Sequence, residues 1–151
     1  MGHFGTVKHL RFAHSLLLSP IIFFALSESM VGPRADFWIF FAVVLACIFP
    51  ASNGYNCYYD RDEGSIGGLE TPPPVEEELL PTTMALEAIG IALALVFCGT
   101  VVAVGLVLYG VMSKLYSHPR VRLKARPWVS LLVVSVFQGP VIFLLSVFLL
   151  S

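Results

Sequence analysis

Long apolar stretches alternate with short polar ones along the chain. The first, from about Phe12 to Ser27, contains Pro20 and is followed by a turn at Val31-Gly32-Pro33-Arg34. The second runs from Phe37 to about Ala51 and leads straight into Asn53-Gly54-Tyr55-Asn56-Cys57-Tyr58-Tyr59-Asp60. Residues 60–83 read as a loop, because Gly64, Gly67 and Gly68 precede Pro72-Pro73-Pro74, which breaks any helix. Glu76-Glu77-Glu78 then suits the start of a helix, where negative charge meets the positive end of the dipole. Met84 to Met112 is apolar apart from Glu87 and Cys98-Gly99-Thr100, and Trp128 to Leu150 forms a last stretch with a kink expected at Gly139-Pro140.

A membrane-crossing helix takes about 20 apolar residues. The stretch from Met84 to Met112 therefore reads either as one long tilted helix or as two short ones that turn near Gly99. Charge decides between them. With two helices, Lys8, Arg11, Arg61, Lys114, Arg120, Arg122, Lys124 and Arg126 share one side, and only Arg34 lies on the other. That is the positive-inside distribution. The expectation is an all-α bundle of about five transmembrane helices in a single membrane domain over residues 1–151. The N-terminus, an acidic loop (60–83) and a basic loop (114–127) would be cytoplasmic.

Composition supports this and narrows the functional classes. The chain is 57% hydrophobic and 13% charged, with a net charge of −1. Soluble domains are nearer 45–50% apolar and about 25% charged. Cys47, Cys57 and Cys98 show no metal-ligand spacing and read as buried thiols. No hydrolytic triad, phosphate-cradling glycine loop or nucleic-acid-binding patch stands out. His14, Glu28 and Glu87 read as interfacial or intra-bundle polar contacts, and Gln138 is a polar residue that could line a pocket.

Two constellations could carry chemistry. Continued as a helix, the second apolar stretch puts Asn53, Asn56, Asp60 and Glu63 at spacings of 3, 4 and 3, with Asp62 beside them. A row of oxygen donors at the mouth of an apolar bundle suits Mg²⁺, which takes one or two carboxylates and completes its shell with water and phosphate oxygens. The bland alternative is a polar helix end leaving the membrane. The second constellation runs from Tyr116 to Pro127. It is either a topogenic loop on anionic lipid or a diphosphate clamp in which Arg122 and Lys124 neutralise phosphate oxygens. Departure of a diphosphate builds negative charge, which cationic donors and Mg²⁺ stabilise.

These residues also carry a resemblance. Leu10 to Pro20 (L-R-F-x-x-S-L-L-L-S-P), Asn56-x-x-x-Asp60 and Tyr116 to Pro127 (Y-S-x-P-x-x-R-L-K-x-R-P) resemble, in order, elements of the UbiA family of intramembrane prenyltransferases. The resemblance implies transfer of a prenyl group from an isoprenyl diphosphate to a small-molecule acceptor, such as an aromatic quinone precursor, with Mg²⁺ as cofactor. It carries over Asn56 and Asp60 as catalytic Mg²⁺–diphosphate residues, and Tyr116, Arg122 and Lys124 as diphosphate-side elements. The family usually has a further Asp where this chain has Gly64, a place that Asp62 or Glu63 would have to fill. The family's second Asp-rich motif has no counterpart here. The chain thus resembles the N-terminal half of such an enzyme, expected to need a second chain, an oligomer or a longer product for activity. Two other readings stand beside it: a non-catalytic membrane binder of isoprenoid or anionic lipid, and a small structural membrane subunit.

Overall fold

The structure is a computed structural model that describes residues 2–61, 64–66 and 70–151. Among these, five helices are long and apolar enough to cross a membrane: α1 (Gly5–Ser27), α2 (Ala35–Asp60), α3 (Leu79–Phe97), α4 (Thr100–Ser117) and α5 (Pro127–Leu149). The protein is an all-α, multispanning membrane bundle.

Three of the helices are irregular, and proline accounts for most of it. In α1, Arg11 takes a left-handed backbone (φ 52°) between Gly2–Leu10 and Phe12–Leu16, and Pro20 opens a third piece, Pro20–Ser27. A proline inside a helix collides with the carbonyl one turn earlier, and a one-residue widening relieves the collision. Such π turns occur at Val44–Ile48 of α2, just ahead of Pro50, and at Phe137–Val141 of α5, around Pro140. The kink expected at Gly139-Pro140 is this second π turn.

Met84 to Met112 forms two helices. The amides of Cys98 and Gly99 both donate to Ala94 O, at 2.8 and 3.0 Å, and Gly99 reverses the chain with φ 92°. A side chain there would be strained. α3 begins at Leu79, ahead of the expected Met84, with Pro81 tolerated in its first turn. The basic loop is shorter than expected. Lys114 to Ser117 are the last turn of α4, leaving residues 118–126 with a short 3₁₀ turn at Leu123–Ala125.

The helices alternate in direction. At one end, His9 Nε2 lies 2.9 Å from Pro73 O, and Asp60 pairs with Lys124. At the other, Ser29 Oγ donates to Leu150 O at 3.4 Å, and Cys98 Sγ approaches Asp36 O at 3.4 Å. All the lysines and arginines except Arg34 therefore gather towards the first end.

Phe37, Phe40, Ile48, Phe49, Leu106 and Ile142 are fully buried between the helices. The α2–α3 contact is close because glycine sits at the crossings. A Cβ on Gly90 would lie 2.7 Å from Cys47 Cβ, and one on Gly54 would lie 2.5 Å from Thr83 Cγ2. Small residues at such crossings let transmembrane helices approach closely. Leu95, Val96, Phe97, Val104 and Leu108 face outward, as suits a lipid-facing surface.

Candidate functional site

One set of polar groups inside the bundle converges on a seam between α2 and α4. α2 contributes Ser52, Asn56 and Asp60 at successive spacings of four, and α4 contributes Tyr109, Ser113 and Ser117 at the same spacing. On a helix, residues four apart lie on one face, so two polar stripes meet along the α2–α4 contact. Ser52 Oγ and Ser113 Oγ are 2.5 Å apart. One turn nearer the charged end, Ser117 Oγ donates to Asn56 Oδ1. At the mouth, Lys124 Nζ donates to the Asp60 carboxylate and reaches Ser117 Oγ at 3.5 Å. Asn56, Ser117, Lys124 and Asp60 thus form one connected chain of polar contacts.

The loop backbone is wound to deliver Lys124. Arg122 adopts a left-handed conformation (φ 44°), its amide donating to His118 O at 2.8 Å, and Ala125 N–H caps Arg122 O at 2.9 Å. The Arg122 side chain is exposed, whereas Lys124 and Asp60 are only 17% and 23% exposed. Arg61 closes α2 with φ 48°, its amide on Cys57 O at 3.0 Å. Arg11, Arg61 and Arg122 are the non-glycine residues of positive φ among those described. Two of them flank the Asp60–Lys124 pair in sequence.

Of the sequence-derived candidates, Asn56, Asp60 and Lys124 come together, and Tyr116 stands beside Ser117 on α4. The Tyr116 hydroxyl is 3.0 Å from Ser130 Oγ on α5. Asn53 does not join them, since its amide Nδ2 points to Leu10 O and Ser15 Oγ of α1, both at 3.4 Å. Spacing gives Asn53 nearly the azimuth of Asp60, but two turns deeper, where α1 occupies that azimuth. Asp62 and Glu63 lie outside the described residues.

Two further features extend beyond the motifs and include Gln138 and Glu87, which the sequence marked as a possible pocket-lining residue and an intra-bundle polar contact. Ser52, Asn56, Tyr109, Ser113, Tyr116 and Gln138 line a small cavity of about 40 Å³ between α2, α4 and α5. On the other side of Ser52 and Ser113, Glu87 of α3 pairs with Lys114, whose ammonium lies 5.6 Å from the Tyr55 ring centroid. Gly110 makes room for the Glu87 carboxylate, which a Cβ there would strike. The sequence signal was the repeated spacing of four among serines and a tyrosine, residue types common enough to pass unnoticed in an apolar helix.

No family model, curated protein or solved structure matches the chain. The function therefore rests on the seam itself.

Among the described residues, no three His, Cys, Asp or Glu side chains gather as a metal site. Mg²⁺ bound together with a diphosphate needs only one or two protein carboxylates. Asn56 Oδ1 and the Asp60 carboxylate, one turn apart at the mouth of the bundle, fit that smaller share. Away from the seam, burial raises the Cys98 thiol above its ordinary value, and the nearby Asp36 carboxylate adds to this.

Proposed function

We propose that the chain is a UbiA-like prenyltransferase component that holds the diphosphate of an isoprenyl diphosphate at the charged end of the α2–α4 seam. The observation behind this reading is the Asp60–Lys124 contact. It joins an acidic element and a basic element 64 residues apart in sequence, and an ionising diphosphate needs both. Asp60 and Asn56 would hold Mg²⁺, which neutralises charge on the departing diphosphate. Lys124 would leave the Asp60 carboxylate for a phosphate oxygen. Ser117, freed from Asn56 Oδ1, would donate a second hydrogen bond. Arg122, exposed on the loop, would reach the outer phosphate, and Tyr116 would stand below the reacting carbon. The acceptor would be a small molecule in the bilayer. A second chain or a second copy would supply further acidic ligands. The charged end would face the cytoplasm by the positive-inside rule.

The test is binding of a non-hydrolysable farnesyl diphosphate analogue to the chain in lipid nanodiscs, with and without Mg²⁺, for wild type and Asp60→Ala. Mg²⁺-dependent binding lost in the variant supports the reading; binding indifferent to both removes it.

One observation favours a second reading. Asp60 and Lys124 already neutralise each other, while Arg120, Arg122 and Arg126 are exposed at the same end. An exposed basic loop suits anionic lipid headgroups without any metal. On that reading, vesicles rich in phosphatidylserine bind equally well with EDTA present.

A further inference from the structure

The seam cavity has a character of its own. Its hydrogen-bonding walls are hydroxyls, amides and two tyrosines, and among the described residues no charged side chain lines it. The two ion pairs that flank the seam, Asp60–Lys124 above and Glu87–Lys114 behind, are each internally neutralised. A carboxylate or phosphate placed in the cavity would lose its hydration and meet no unpaired cation among the lining residues described. An uncharged head meets donors and acceptors of both kinds. Buried polar groups of this sort reject a ligand that cannot pair with them.

The remaining wall is Val133, Val134 and Phe137 of α5, and Val134 is 37% exposed on the outside of the bundle. The cavity therefore lies one side chain from the lipid. Phe137 and Gln138 reach it from the π turn of α5, a local widening that recurs at functional sites. A space of about 40 Å³ holds about three waters, or the hydroxylated edge of one ring. Tyr109, Tyr116 and Phe137 offer ring faces and edges to an aromatic head.

We propose that this cavity binds the uncharged phenolic head of a membrane-soluble amphiphile, with its tail leaving past Val134 between α4 and α5. Gln138 and Tyr109 hold the phenol hydroxyl, and Ser52 and Ser113 complete the hydrogen bonding behind it. This inference goes beyond the diphosphate reading and does not depend on it.

The test is equilibrium binding of tritiated 4-decylphenol and 4-decylbenzoate to the full chain in nanodiscs, against empty nanodiscs, without Mg²⁺ or diphosphate. The phenol should bind saturably and the benzoate at least about tenfold more weakly, because only the latter carries a charge. Gln138→Leu should weaken phenol binding about tenfold, the scale of one lost hydrogen bond, with the helical circular dichroism unchanged. Equal binding of the two probes, tighter binding of the benzoate, or uptake no greater than into empty nanodiscs overturns the proposal. The wild-type comparison needs no variant to fold. Because metal and diphosphate are absent, the result stands apart from the fate of the diphosphate reading.

Discussion

If Asp60 and Lys124 hold the end of α2 against the 118–126 loop, their side chains should be strongly coupled in stability. The pair is neither exposed nor fully buried, with 23% and 17% of the two side chains accessible. Exposed pairs contribute about 0.2–1 kcal/mol, and stripping one partner from a buried pair costs about 3–5 kcal/mol. Two charges about 4 Å apart at an effective dielectric of about 20 attract by about 4 kcal/mol before desolvation is subtracted. The Asp60–Lys124 pair falls between these limits, so a coupling of about 2 kcal/mol is expected. The experiment is a double-mutant cycle with Asp60→Asn, Lys124→Met and the double variant. Unfolding is followed by circular dichroism as SDS is titrated into mixed micelles. Each single substitution should cost about 2–3 kcal/mol and the double variant clearly less than their sum. Additivity within about 0.5 kcal/mol would refute the contact and, with it, the meeting of the acidic and basic elements.

Gly110→Ala should destabilise the bundle by about 1–3 kcal/mol despite alanine's better helix propensity, because the new methyl strikes the Glu87 carboxylate that Lys114 pairs with. Gly32→Ala meets nothing and should stay within about 0.5 kcal/mol of wild type in the same titration. Arg61→Gly should stabilise the chain by about 0.5–1 kcal/mol, since glycine relieves the left-handed backbone that ends α2. Unchanged stability would mean that the Arg61 guanidinium, 5.9 Å from the Tyr58 ring centroid, offsets the strain. Cys98, in a Cys47→Ala/Cys57→Ala background, should react with maleimide at a half-maximal pH above that of free cysteine. Burial raises its thiol, so the thiolate fraction at a given alkaline pH is smaller.

The fold was legible because membrane helices leave a coarse record. Apolar length set the spans, proline and glycine marked their irregularities, and the uneven placement of Lys and Arg separated α3 from α4 at Gly99. The site was legible only in part. Asn56 and Asp60 stood out because polar side chains are costly at the end of an apolar run. Asn53 stood out for the same reason, yet its partner is α1. Spacing fixes azimuth on a helix, and the neighbour found at that azimuth depends on packing at each level. Lys114 looked like part of a solvent-facing basic cluster. Gly110 opens a slot for Glu87 and draws Lys114 into the bundle instead. Ser52, Ser113 and Ser117 gave no signal individually, because an isolated serine in an apolar helix normally bonds its own backbone, as Ser146 Oγ does to Ile142 O at 2.8 Å. Their role becomes visible only when α2 and α4 are laid together.

In the proposed function Asp60 would hold a metal-bound diphosphate at the mouth of the seam. Mn²⁺ can replace Mg²⁺ as a spectroscopic probe of that contact. With a farnesyl diphosphate analogue bound to the chain in nanodiscs, ³¹P electron–nuclear double resonance should show phosphorus coupled to protein-bound Mn²⁺. Asp60→Ala should abolish that signal while the far-ultraviolet circular dichroism stays unchanged. A phosphorus coupling that survives Asp60→Ala, or wild-type chain that holds no Mn²⁺ in the presence of the diphosphate, would contradict that role for Asp60.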